Sequence, residues 1–135
     1  MNNTRFATSI HILTLLAFEP DEWLSSEYVS GSININPVMV RKELLTLQKA
    51  GLVQTKKGKD GGTKLNRPAT DILLSEVLEA VSNSDILGRK NLTTNPKCRV
   101  GSQINRNLDR VFLQTEQAVQ QSLAGQSLAD FMKQF

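Results

Sequence analysis

The chain is poor in the residues that staple, stack or span. Its 135 residues include one cysteine, one histidine, one tryptophan and one tyrosine. A single cysteine makes no intrachain disulfide. That fits a reducing cytoplasm and excludes a metal site built from several cysteines of one chain. Lone His11, between Ile10 and Ile12, reads as a half-buried packing residue and has no second imidazole with which to hold a metal. Five phenylalanines beside Trp23 and Tyr28 are too few for a platform that stacks single-stranded nucleic acid. No apolar run approaches the ~20 residues that span a bilayer, and the N-terminus lacks the basic and apolar stretches of a secretion signal. Convincing pairs of catalytic carboxylates are also missing. Glu76 and Glu79 share a helix face as solvated or lysine-paired groups, and the glycines at 58–62 form a hairpin turn, not a phosphate loop. Neither an enzymatic reaction nor a cofactor is expected.

What is present is an ordinary soluble composition, 39% apolar and 21% charged. The length favours one domain with a core that needs no staple. The charge, however, is uneven. Asn36 to Thr70 holds eight Lys/Arg against two acids, a local +6 in a chain of net +3, so the remainder is −3. An excess gathered into one segment is the footprint of a surface that meets a polyanion.

Apolar spacing divides the chain. Phe6, Ile10, Leu13 and Ala17 form the stripe of a first helix over 5–18, stopped by Glu19-Pro20-Asp21. Trp23 and Leu24 then cover the core. Ser25 or Ser26 caps a short helix from Glu27 to Ser32, packed through Tyr28 and Val29, and Gly31, Asn34 and Asn36 make the next turn. Asn36-Pro37 opens a third helix with Val40, Leu44, Leu45 and Leu47 inward, and Gly51 closes it. Two strands, 52–55 and 63–66, flank a Gly/Lys turn at 56–62. Ser75 is expected to cap a fourth helix with Val77, Leu78 and Val81 inside. After a loop at 83–95, Asn95-Pro96 is expected to start a helix of about 25 residues, long beside the usual ~11–12. Its stripe is Val100, Ile104, Leu108, Val111, Phe112, Thr115, Val119 and Leu123. Gly125 ends it, and Ser127-Leu128-Ala129-Asp130 opens a last short helix.

Two helices joined by a short turn, the second one basic, suit the DNA major groove, which is ~12 Å wide and admits one helix. The base-facing candidates are Asn36, Val38, Met39, Arg41 and Lys42. Arg41 can fork onto a guanine edge, and Val38 and Met39 can meet thymine methyls. Lys49, Lys56, Lys57 and Lys64 are candidate phosphate contacts, and Lys59 lies at the tip of a wing that enters or flanks the minor groove. The alternative is a solvated basic face on an adaptor that binds protein.

The run A-G-L-V-Q-T-K-K-G-K-D-G-G-T-K-L-N-R-P (50–68) with D-I-L-L-S-E-V-L-E-A-V (71–81) resembles the Rrf-two family of winged-helix regulators, which includes IscR, NsrR and CymR. The resemblance covers 5–82 well and the C-terminal third loosely, including Ser127 to Asp130. It implies a dimeric transcriptional regulator with a long dimerisation helix and a sensor element ahead of it. Two departures stand out. Cluster-binding members carry three cysteines where this chain has Cys98 alone, so it cannot hold an iron–sulfur cluster in their way. An aromatic residue usually follows the wing glycines, and here Thr63 does.

Cys98 has two readings. If Asn95 caps the long helix, Cys98 is its third residue, near unpaired N–H groups and between Lys97 and Arg99, an environment that favours the reactive thiolate of a redox switch. Otherwise it is a small apolar residue under the loop. The expectation is thus a mainly α protein: a winged helix-turn-helix domain (1–82), a loop (83–95), and a dimerisation helix with a short terminal helix (96–135). Its partners are double-stranded DNA and a second copy through residues 100–123, in the cytoplasm, without a membrane. The function is regulation, as a repressor on a pseudo-palindromic operator. Its signal is oxidation or a small thiol at Cys98, or else a small-molecule or protein effector.

Overall fold

The structure is a computed structural model describing residues 3–82 and 86–135. Its elements in chain order are α1 (Arg5–Phe18), α2 (Ser26–Ile33), α3 (Pro37–Lys49), β1 (Val53–Lys56), β2 (Gly62–Leu65), a 3-10 turn (Ala69–Asp71), α4 (Leu74–Val81), α5 (Ile104–Ala124) and α6 (Leu128–Met132). The two strands pair antiparallel, with Val53 opposite Leu65 and Lys56 opposite Gly62. This is a mainly helical winged helix-turn-helix fold. Among the described residues no helix is long and apolar enough to cross a membrane.

One apolar core unites the N-terminal elements with the far end of the chain. Ile12, Leu13, Leu16, Val29, Val40, Leu47, Leu52, Ile72, Val77 and Leu128 are all but inaccessible to solvent. Burying each such side chain is worth about 1.5–3 kcal/mol. Leu128 reaches the core because the Gln126 carbonyl accepts the Leu74 N–H at 2.9 Å and the Ile72 carbonyl accepts the Leu128 N–H at 2.8 Å. Ser127 and Asp130 close a reciprocal cap at the start of α6, each bond 3.0 Å. The terminal helix therefore packs on α1 instead of trailing from α5.

A polar clamp sits beside this core. Glu43 on α3 is buried, its side chain 6% exposed, and receives Arg5 Nε at 2.9 Å and the Ser9 hydroxyl at 3.3 Å. The same guanidinium donates to the Val81 carbonyl and to Thr46 Oγ1, both at 3.3 Å. Four bonds join α1, α3 and α4.

Several local expectations need correction. Tyr28 and Leu45 are about half exposed: both point away from the core, towards the α2–α3 surface, although their spacing matches the buried face. Gly31 is helical, and the left-handed turn residue is Asn34 at φ 69°. The fourth helix starts at Leu74, because the Glu76 carboxylate accepts the Leu73 N–H at 3.2 Å, while Ser75 is buried within the helix. The long helix has 21 residues and begins at Ile104, not Pro96. Asn95 Oδ1 does accept the Lys97 N–H at 2.9 Å, but Gly101 packs against the Asn95 backbone, where a Cβ would collide. The segment therefore folds back as turns before α5. Part of the expected 83–95 loop, residues 83–85, lies outside the described residues.

Arg5→Ala should destabilise the protein by about 2–4 kcal/mol, since it leaves a buried carboxylate without its cation. Urea unfolding measures it, and Glu43→Gln, which keeps hydrogen-bonding capacity, should cost less.

Candidate nucleic-acid interface

Helix α3 is presented end-on by its own cap. Asn36 Oδ1 accepts the Val38 N–H at 2.8 Å, and Pro37 fills the first helical position. Behind it, Asn34 donates its N–H to the Ser30 carbonyl at 2.7 Å, and the Ser30 hydroxyl donates to the Ile35 carbonyl at 2.8 Å. The short turn thereby fixes α3 against α2. The first turns of α3 expose Val38 at 61% and Met39 at 51%, with Asn36, Arg41 and Lys42 also exposed.

Arg41 is not free in this state. Its Nε donates to the Ser26 hydroxyl at 3.2 Å and its Nη2 to Glu27 Oε1 at 3.0 Å. The Glu27 carboxyl is held below its usual range, first by its own backbone N–H and then by Arg41 and Ser26. Both partners are well exposed, and a pair in that setting contributes little to stability.

The hairpin carries Lys56, Lys57, Lys59 and Lys64. Its register is reinforced by a third segment, for Leu24 and Thr63 exchange both backbone bonds at 2.9 and 3.0 Å. Trp23 is thereby brought under the wing, where the Lys64 and Lys56 ammonium groups lie 4.8 and 5.8 Å from its ring centroid, within cation–π range. Thr55 Oγ1 donates to Gln48 Oε1 at 3.2 Å, tying wing to helix. Between them runs a cleft of about 240 Å³, lined among others by Arg41, Leu45, Gln48 and Lys56.

The sequence-predicted residues thus divide. Val38, Met39, Arg41 and Lys42 share the exposed start of α3. Lys56, Lys57, Lys59 and Lys64 share the wing. Asn36 spends its side-chain carbonyl on the cap. Lys49 lies in the last turn of α3, about 18 Å along the axis from Pro37 at 1.5 Å per residue, where it also complements the helix dipole. Arg67 turns away from the patch, to the Asp71 carbonyl at 3.0 Å and Glu76 at 3.1 Å. Sequence reasoning missed Leu45 and Gln48 as cleft residues, Ser26 and Glu27 as holders of Arg41, and Trp23 as a seat for two lysines. Leu45 sits one turn from Arg41 and was in principle findable; Trp23 depends on the Leu24–Thr63 pairing, which leaves no local signal.

Cys98 is exposed, not buried beneath a loop, and lies in the turn before α5. Its thiol is lowered from the usual range by the Gly101 and Val100 backbone N–H groups, Gly101 contributing most. The cause is therefore the turn and not the end of the long helix. His11 is exposed, and its Nε2 lies 2.9 Å from the Ser32 hydroxyl.

A model of the family described as Rrf2, iron-dependent transcriptional regulator, matches residues 2–134. YwnA of Bacillus subtilis (strain 168), assigned to the HTH-type transcriptional regulators, is 40% identical over 132 residues, covering 98% of this chain and 97% of its own. A crystal structure assigned to a DNA binding protein superposes with a TM-score of 0.77 at 38% identity, covering 95% of this chain and 98% of that one. CymR (YrzC), the global cysteine regulator of B. subtilis, shares the fold at a TM-score of 0.73 and 15% identity, covering 100% and 98% of the two chains. The iron of the family description does not fit this donor set. The chain has one thiol and one imidazole, and among the described residues no three of His, Cys, Asp and Glu come together as a metal site.

A Cβ on Gly61 would overlap the Lys56 carbonyl, and one on Gly62 would press on the Leu24 backbone. Gly61→Ala should therefore disturb the wing while sparing the helices. Amide NMR is expected to show shifts at 56–64 with unchanged helical circular dichroism.

Proposed function

We propose that this chain, which belongs to the Rrf2 family of transcriptional regulators, reads DNA with the start of α3 and grips it with the wing. The observation that carries the reading is the exposed set Val38, Met39, Arg41 and Lys42 beside a lysine-bearing hairpin braced on Trp23. Arg41 exchanges Glu27 for a guanine edge, and Val38 and Met39 meet thymine methyls. The four wing lysines, with Lys49, contact phosphates and set position, not sequence. No reaction is catalysed: the output is occupancy of an operator in the cytoplasm, acting as repression.

The active species in this reading is a homodimer. None of the 21 residues of α5 is buried within its own chain, and Val111 and Leu113 are at least half exposed. A helix with an apolar stripe and so little cover is satisfied by its own copy, through residues 100–123. Two-fold symmetry then places the reading helices about 34 Å apart, or a multiple of that, on a pseudo-palindromic site.

The signal enters ahead of α5. Cys98 is accessible, and its lowered pKa enlarges the thiolate fraction near neutral pH. Oxidation there, or a mixed disulfide with a small thiol, would alter the turn that leads into the dimer helix. The other reading is an effector bound elsewhere, and an apolar groove on α1 favours it.

Arg41→Ala should weaken operator binding by about 1–3 kcal/mol and relax specificity, whereas Lys56→Ala should weaken all sequences alike and reduce the salt slope by about 1. Fluorescence anisotropy on operator and scrambled duplexes at several salt concentrations separates the two. Val111→Glu should move the protein from twice the mass of the 15.0 kDa chain to that mass, as read by analytical ultracentrifugation. Iodoacetamide should alkylate Cys98 with a rate that rises with pH and levels off below the pH at which an ordinary thiol does.

A further inference from the structure

We propose that the apolar groove between α1 and α6 is a binding site for a small, neutral, largely aromatic effector bearing one hydrogen-bonding group. The groove holds about 580 Å³, within the ~300–1,000 Å³ of pockets that take small organic ligands. Its walls are Phe6, Ile10, Leu15 and Phe18 on one side and Phe131 and Phe135 on the other. Phe135 meets Phe18 edge to face at 6.1 Å and Phe131 at 5.4 Å, so three rings form a corner that another ring extends in the same geometry.

The polarity of the groove defines the ligand. His11 and Ser32 both line it and lie 2.9 Å apart through Nε2 and Oγ. Thr14 also lines it, but its hydroxyl is spent on the Ile10 carbonyl at 2.7 Å. Among the described residues no Asp, Glu, Lys or Arg side chain lines it, so a charged ligand would lose its water with no permanently charged side chain to meet it. A neutral ring with one hydroxyl meets both conditions, the ring against the phenylalanines and the hydroxyl at the His11–Ser32 pair.

The same pair connects the groove to the reading surface. It joins α1 to the last turns of α2, and the first turn of α2 supplies Ser26 and Glu27, which hold Arg41. A ligand hydroxyl that competes for His11 or Ser32 loosens α2 from α1 and changes how Arg41 is presented. This coupling rests on the proposed role of Arg41 in DNA reading; binding in the groove does not.

The test uses the full chain and 2-naphthol as probe, followed by its own fluorescence. Ala7 is exposed and lines the groove, so Ala7→Trp fills the space from the rim, and His11→Leu removes the polar anchor without adding bulk. Wild type should bind the probe saturably, one per chain, with affinity about tenfold weaker in Ala7→Trp and about threefold weaker in His11→Leu. The probe should shift operator affinity of wild type by about threefold and leave that of Ala7→Trp unmoved. Absence of saturable binding, or equal binding by wild type and both variants, overturns the site. Loss of the dimer in Ala7→Trp overturns it as well, because a second copy would then cover the groove. Binding in the groove with no change in operator affinity overturns the effector role. If wild type without probe binds no duplex, the DNA reading fails while the binding arm still decides the site.

Discussion

The bond between Arg5 and Glu43 sets the geometry on which the rest depends. A carboxylate buried on α3 is costly unless a cation and further donors reach it. Here one guanidinium supplies them from the first helix and also holds the end of α4. Val40, Leu44 and Leu47 pack the inward face of α3 into the core. A directional clamp at Glu43, halfway along the helix, fixes which residues turn outward. Those are Val38, Met39, Arg41 and Lys42.

The charge of the basic segment is thereby sorted. Glu43 is neutralised inside the protein by a residue from outside the segment, and Arg67 is drawn off by Glu76. The wing lysines stay at the surface, two of them gathered over Trp23. Arg41 is held on Glu27 and Ser26, and because an exposed pair contributes little, the proposed reading has it exchange Glu27 for a planar acceptor in the groove. In a transcriptional regulator of this family, a helix end and a hairpin placed side by side around one cleft suit a major groove and its flanking backbone.

The sequence made legible those features that are decided locally. Asn36-Pro37 as a helix start, Gly51 as its end, the hairpin and the Ser127 cap all follow from backbone preferences of a few residues, and each is present. Features decided by distant partners were not legible. Leu45 and Tyr28 fit the apolar period yet face outward, because period alone does not say where an amphipathic face ends. The start of α5 was misplaced because Asn-Pro is a sound opening in isolation, whereas Gly101 folding onto Asn95 is a contact six residues away. The placing of Trp23 needed the Leu24–Thr63 pairing across almost forty residues, and the return of Leu128 to the core needed the whole chain.

The central claim is that the α3 start and the wing form one DNA-reading surface. It is tested most directly by hydrogen–deuterium exchange of the full chain, alone and with a duplex from its own upstream DNA. The account predicts new protection at residues 36–42 and 54–64, lost together as salt is raised. Protection confined to α5 and the turn around Cys98, with α3 and the wing unchanged, would contradict it.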